Sequence, residues 1–215
     1  MKNRRKLYAA LALLGGFLFW TIAVCLVDVQ AIGPNGSAVG FAAVNGTFHR
    51  LTGVHLPLYV LTDWLSLIPV GIAVGFALLG AVQWIRRKKL RHVDFNILAL
   101  GGFYVLLAAA YLFFECVVIN YRPVLIEGVL EASYPSSTTL LVLCVMGTAM
   151  LQFKERIQQK TLRKWVLILC AAFTIFMVVC RVISGVHWLS DIVGGVLLSS
   201  ALIQLYRFLC AFQKK

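Results

Sequence analysis

Six apolar runs, each about twenty residues long, leave this chain one kind of environment. The hydrocarbon layer of a bilayer is about 30 Å thick, and a helix needs about 20 apolar residues to cross it. The runs fall at about 7–27, 58–85, 97–119, 136–153, 165–183 and 190–212. Only 13% of the 215 residues are charged, about half the share expected of a soluble domain, and mean hydropathy is +0.89. The expectation is an all-α polytopic membrane protein, a six-transmembrane-helix bundle forming one membrane-embedded domain over 1–215. The first run follows the basic stretch MKNRRK, but it is too long and too evenly apolar for a signal-peptide core, so it is expected to span. The second run holds Asp63 and Pro69 near its start and is expected to begin as an interfacial turn.

A formal net charge of +12 suggests nucleic acid until the charges are placed. Seventeen of the 20 basic residues lie before the first run, after the second, after the fourth and at the C-terminus, which six spans put on one side of the membrane. The positive-inside rule then makes both termini cytoplasmic, and the basic excess is an orientation signal with no nucleic-acid partner implied. Arg50, Arg122 and Arg181 fall on the other side, against that bias, so each calls for a reason. The six cysteines are scattered through apolar runs without metal-ligand spacing and are expected to act as small packing residues.

The connection over 28–57 is rich in Gly, Asn and Ser, which suits a loop or a short re-entrant or interfacial helix. His49 and Arg50 carry no motif and read as loop residues. Asn45-Gly46-Thr47 matches a glycosylation acceptor pattern that is common by chance. Trp64, Tyr134 and Trp188 read as an interfacial aromatic belt.

The polar residues of the outer side gather at span ends. Arg122-Pro123 closes the third span, Pro135-Ser136-Ser137-Thr138 opens the fourth, Arg181 closes the fifth, and His187 and Asp191 open the sixth. Ionisable groups this close to lipid are costly and usually paired. His187 and Asp191, four apart, would share a helix face, leaving the far imidazole nitrogen free as nucleophile or base. Two guanidinium groups and a helix N-terminus suit a tetrahedral oxyanion. Together these groups form a phosphoryl-transfer constellation.

The constellation resembles the type 2 phosphatidic acid phosphatase (PAP2) family of membrane phosphatases. Cys180, Arg181, His187 and Asp191 follow its third motif, SRxxxxxHxxxD. Arg122-Pro123 match the end of its first, KxxxxxxRP, and Pro135-Ser136-Ser137-Thr138 align with its second, PSGH. The resemblance implies a six-helix bundle of the PAP2 type and hydrolysis of a phosphorylated lipid without a metal or other cofactor. In that scheme His187 attacks phosphorus, Asp191 orients it, and Arg122, Arg181, Ser136, Ser137 and Thr138 hold the phosphate. The chain departs from the family at Glu115, where the first motif has Lys, at Ser137, at Cys180, and at Thr138, where the second motif has a proton-donating His. A phosphate leaving from a diphosphate is already stable as an anion and needs such a proton less, so a lipid diphosphate of the polyprenyl type is the expected preference; Glu127 or Glu131 is the alternative donor. A bacterial plasma membrane with an outward-facing site is the expected setting, and a non-catalytic binder or transporter of phosphorylated lipid is the competing reading. The sequence leaves oligomeric state open.

Overall fold

A computed structural model describes residues 2–212; Lys214 and Lys215, part of the basic excess, lie outside them. The elements run α1 (Lys2–Leu26), α2 (Ala42–Thr52), α3 (Leu56–Leu65), α4 (Leu67–Arg87), α5 (Phe95–Cys116), α6 (Ser137–Arg156), α7 (Lys160–Ile183) and α8 (Leu189–Phe212). Six segments are long and apolar enough to cross a membrane: α1, α3 with α4, α5, α6, α7 and α8. The chain is thus a multi-pass, nearly all-helical membrane protein.

The second run is one span made of two helices. Proline clashes with the carbonyl four residues back, and for Pro69 that is Leu65. The helix breaks there, at Ser66, and Pro69 falls in the first turn of α4, where an N–H has no intrahelical acceptor anyway. Asp63 therefore sits in the last turn of a true helix, α3, rather than in a turn.

α6 is the central helix, packed against α4, α5, α7 and α8. Protein rather than lipid surrounds it, so it can carry Thr138, Thr139, Thr148 and Gln152 buried. The hydroxyl of Thr148 donates back to the Cys144 carbonyl at 2.8 Å, which satisfies it inside the bundle. The outer helices keep large apolar side chains on their outward faces, among them Phe19, Ile85, Val105 and Leu169. The most extensive helix pairing joins the first and last spans, α1 and α8.

At one end of the bundle Asp94 ties three helices together. Its carboxylate accepts from Gln83 Nε2 at 2.8 Å, Arg87 Nη1 at 2.9 Å and Arg156 Nη2 at 3.2 Å. Beside it Gln152 Nε2 donates to Tyr206 Oη at 2.5 Å, and that hydroxyl donates to the Asn96 carbonyl at 3.0 Å. The chain alternates direction at each span, so the ends of α5 and α7 and the starts of α6 and α8 meet at the opposite end.

The connection over 28–57 is structured. Gly40 passes so close to α1 that a Cβ there would lie 1.6 Å from the Val24 carbonyl oxygen. Asn45 is buried on α2 and hydrogen-bonded, which leaves no room for a glycan. Trp64 is exposed as a belt residue would be, but Tyr134 and Trp188 are packed inside at 2% and 3% exposure. Tyr134 shares a 2.7 Å hydrogen bond with the Thr21 hydroxyl, and Trp188 Nε1 donates to the Tyr121 carbonyl, so each polar tip has a protein partner and needs no headgroup.

Candidate active site

The Tyr59 ring on α3 gathers the two arginines. The Arg181 guanidinium carbon is 4.7 Å from the ring centroid and that of Arg122 is 5.6 Å away. Arg181 lies in the last turn of α7 and is 1% exposed. Its Nη1 donates to the Tyr59 carbonyl at 3.3 Å and Thr62 Oγ1 at 2.9 Å; its Nη2 donates to Thr138 Oγ1 at 2.6 Å and Asp63 Oδ1 at 3.3 Å. Arg122 sits in the loop six residues beyond α5, not at the end of that span as expected, because α5 stops at Cys116. Its Nε lies 2.9 Å from Glu131 Oε2, and its backbone N–H donates to the Glu131 carbonyl at 3.0 Å.

His187 occupies the loop between α7 and α8, 4% exposed, with Nδ1 3.9 Å from Asp191 Oδ2. That is close for two charges but beyond a hydrogen bond, and neither ring nitrogen has a protein hydrogen-bond partner. The pair does not meet across a helical turn, as the four-residue spacing suggested. α8 begins only at Leu189, and Asp191 Oδ2 accepts the Trp188 N–H at 3.0 Å, closing the helix start in the manner of a capping box. Asp191 is fully buried; its Oδ1 accepts from Asn120 Nδ2 at 3.0 Å and from the Ser190 hydroxyl at 3.5 Å. Burial, with the Arg122 and Arg181 charges adding to it against the opposing pull of Asp191, pushes the His187 imidazolium pKa down to about 4. At neutral pH the ring is uncharged and one nitrogen keeps its lone pair.

The 28–57 connection clamps the loop that carries His187. The His55 N–H donates to the Ser184 carbonyl at 2.9 Å, and His49 Nε2 lies 3.1 Å from the Gly185 carbonyl. His49 and Arg50 are thus residues of α2, and His49 also packs on Trp188, with ring centroids 5.4 Å apart. Asn45 and Ser190 are joined twice, through Asn45 Nδ2 to the Ser190 hydroxyl at 2.8 Å and the Ser190 N–H to Asn45 Oδ1 at 3.1 Å. Gly185 has φ +69°, and a Cβ there would lie 2.0 Å from the Gly53 carbonyl oxygen. Only glycine fits both the left-handed backbone and the close approach.

At the start of α6, Ser136 is the N-cap residue; its N–H donates to the Asp191 carbonyl at 3.1 Å, and its buried hydroxyl has no protein partner. The next three N–H groups, of Ser137, Thr138 and Thr139, have no intrahelical acceptor. Ser137 lines two sizeable cavities that adjoin each other. One, of about 450 Å³, is a mainly apolar groove bounded by Val70 and Val74 of α4, Leu107 of α5 and Leu141 of α6, reaching Thr138. The other, of about 430 Å³, is polar and holds Arg122, Glu131, Glu115 and Tyr111. Glu115 is exposed on the last turn of α5, and Arg122 takes Glu131 as its ion-pair partner instead. Among the described residues no group of three His, Cys, Asp or Glu side chains is placed to ligate a metal.

The structure thus brings Arg122, Arg181, His187, Asp191 and Ser136–Thr138 to one end of the bundle. Sequence reasoning missed Tyr59, Thr62, Asn45, Asn120 and Ser190, and took Asp63 only as a turn signal. A carboxylate inside an apolar run implies a cationic partner, and the structure supplies Arg181 as that partner.

The arrangement agrees with what the chain resembles. The family model described as the PAP2 superfamily matches residues 103–213, which include Arg122, Ser136, Ser137, Thr138, Arg181, His187 and Asp191 but not the α2 and α3 residues Asn45, Tyr59, Thr62 and Asp63. Among solved structures, the chain is similar to a transmembrane PAP2-type phosphatidylglycerolphosphate phosphatase of Bacillus subtilis. The two share 20% identity and a TM-score of 0.54, covering 96% of each chain, a likeness of fold. No curated protein matches. With the family model spanning half of its length and the bundle sharing that fold, the chain belongs to the PAP2 superfamily.

Proposed function

We propose that this protein is a lipid phosphatase that uses His187 as its nucleophile and prefers a lipid diphosphate. The observation that carries the reading is a buried imidazole without protein hydrogen bonds, in the electrostatic field of two arginines. An imidazole kept only for packing would have its nitrogens satisfied.

In the proposed reaction the His187 lone pair forms a bond to phosphorus as the bond to the leaving oxygen breaks. Arg122, Arg181, the Ser136 hydroxyl and the N-terminal N–H groups of α6 hold the equatorial oxygens and stabilise the charge that builds there. Asp191 stabilises the positive charge that the phosphorylated imidazole acquires. Water then attacks phosphorus and the P–N bond breaks, releasing phosphate and restoring neutral His187. The apolar groove beside Thr138 suits the lipid tail, so the substrate would reach the arginines sideways from the membrane.

The leaving group decides the substrate. Thr138 Oγ1 is occupied by Arg181, and a hydroxyl is too weak an acid to protonate an alkoxide. Positioned acid catalysis is worth about 100- to 10,000-fold. A diphosphate expels phosphate, already stable as an anion, and forgoes that help. Glu131 is engaged by Arg122, which argues against it as donor. Arg86, Arg87, Lys154, Arg156 and Lys160 lie at the opposite end of the spans from the site, so by the positive-inside rule the site would face outward, in what we take to be a bacterial plasma membrane.

Purified protein should release phosphate from polyprenyl diphosphate faster than from phosphatidic acid, and His187→Ala should abolish both. The reverse order would refute the substrate preference. Equal background release from both proteins would leave a binder or transporter of phosphorylated lipid, the reading that the carboxylates on both arginines favour.

A further inference from the structure

Each arginine of the site already holds a carboxylate. Arg122 faces Glu131 and Arg181 faces Asp63, the two carboxylate side chains being 40% and 54% exposed while the arginines are buried. Arg181 shows what this means for an incoming phosphoryl group. Both its Nη atoms are donating, and only Nε lacks a protein partner. A phosphate that takes a paired grip on this guanidinium has to displace something.

Three of the four acceptors are poor candidates for release. The Tyr59 carbonyl is backbone, Thr62 Oγ1 is buried beneath the guanidinium, and Thr138 Oγ1 is held at 2.6 Å. Asp63 is the fourth. Its contact is long at 3.3 Å, and its side chain is more than half exposed, so water can receive it. It is also the only one of the four with the same charge as the ligand. The Tyr59 ring and Thr62, both on α3 with Asp63, keep the guanidinium in place while the carboxylate leaves.

We propose that Asp63 is the residue that sets phosphate affinity at this site: a carboxylate latch on Arg181 that the substrate's phosphoryl group displaces and that returns to help expel product phosphate. Asp63 acts through Arg181 and is a positioning residue. The inference rests on the reading of Arg181 as a phosphate ligand. It gives the latch a use in turnover, because a site built to hold phosphate must also let the product go.

The test uses full-length protein in lipid nanodiscs. Asp63→Asn keeps an oxygen that can accept from Arg181 and removes only the charge. Asp63→Asn should lower the KM for the lipid and the Ki for inorganic phosphate together, each by about fivefold, the upper value of an exposed ion pair. Asp63→Glu should stay near wild type, and Asp63→Ser serves as a second neutral variant if Asp63→Asn does not fold. A merely structural Asp63 would instead give a higher KM with a lower melting temperature. Direct titration with inorganic phosphate, read by phosphorus NMR, gives the same comparison without catalysis. Unchanged or weaker phosphate binding by the neutral variants overturns the latch. Absence of His187-dependent phosphate release from the wild-type protein, with tighter phosphate binding in Asp63→Asn, would overturn the phosphatase reading and leave the latch standing.

Discussion

Asp191→Asn is the sharpest probe of the proposed nucleophile. During phosphoryl transfer the His187 ring goes from neutral to cationic, while Asp191 stays a carboxylate 3.9 Å from Nδ1. Two unit charges at that distance attract by about 4 kcal/mol at an effective dielectric constant of about 20. The interaction is absent before transfer, when the ring is uncharged, so it lowers the barrier rather than strengthening substrate binding. About 4 kcal/mol corresponds to about a thousandfold in rate. The substitution also has a cost to folding. Both oxygens of Asp191 accept hydrogen bonds, from Trp188 on one side and Asn120 and Ser190 on the other. An amide has one oxygen, so its NH2 must face a donor, at about 1–3 kcal/mol. The measurement is therefore single-turnover phosphoenzyme formation at neutral pH, normalised to folded protein from a melting curve. Loss of about three decades in the transfer step is expected. A folded Asp191→Asn that keeps more than a tenth of the wild-type rate would refute the electrostatic argument.

Other perturbations test the site and the opposite end of the bundle. With the His187 pKa near 4 in the free protein, the limb of kcat/KM that this residue governs should fall near pH 4 to 5 rather than at 6.5, as a pH–rate profile would show. The unfolded chain binds the extra proton first, so His187 makes stability fall as pH drops from about 6.5 to about 4, and His187→Asn should flatten that slope in melting experiments. Gly185→Ala forces a side chain into a left-handed backbone and against the Gly53 carbonyl; phosphate release should fall by about a hundredfold while circular dichroism shows the spans intact. Hydrogen bonds from Arg87, Gln83 and Arg156 together outweigh the opposing effect of burial and hold the Asp94 carboxyl below its ordinary value. Its stabilisation is present at neutral pH and is lost on acidification through the lowered value, so Asp94→Asn should cost about 1 kcal/mol at pH 7 and little near pH 3, read as melting temperature.

How much of this was legible in the sequence depends on the range of the physics involved. Hydropathy is local, so the six spans were readable to within a few residues. The cost of charge near lipid is also local, and it singled out Arg122, Arg181, His187 and Asp191 before any partner was known. The partners themselves are remote. Asp63 with Arg181, Asn45 with Ser190 and Asn120 with Asp191 are more than 65 residues apart, and nothing in the pattern around Asn45 or Asn120 tells them from ordinary loop residues. α2 was legible only as one of two alternatives, a loop or a short interfacial helix, because a Gly-, Asn- and Ser-rich segment carries little periodicity; its packing against the α7–α8 loop decides for the helix. Trp188 and Tyr134 show the limit of compositional reasoning, since an aromatic near a span end fits a headgroup belt and a buried corner equally well until its neighbours are known.

The pairing of α1 with α8 has a consequence for how the molecule comes into being. Translation delivers α8 after the other five spans described, yet α8 brings Asp191 and Ser190, which engage Asn45 and Asn120, and it supplies the partner face for α1. Until α8 is inserted, a nascent chain holds those two amides without their eventual partners and an N-terminal helix without its neighbour. Assembly of the candidate site thereby waits for α8, so a product truncated before that helix reaches the bilayer without the site.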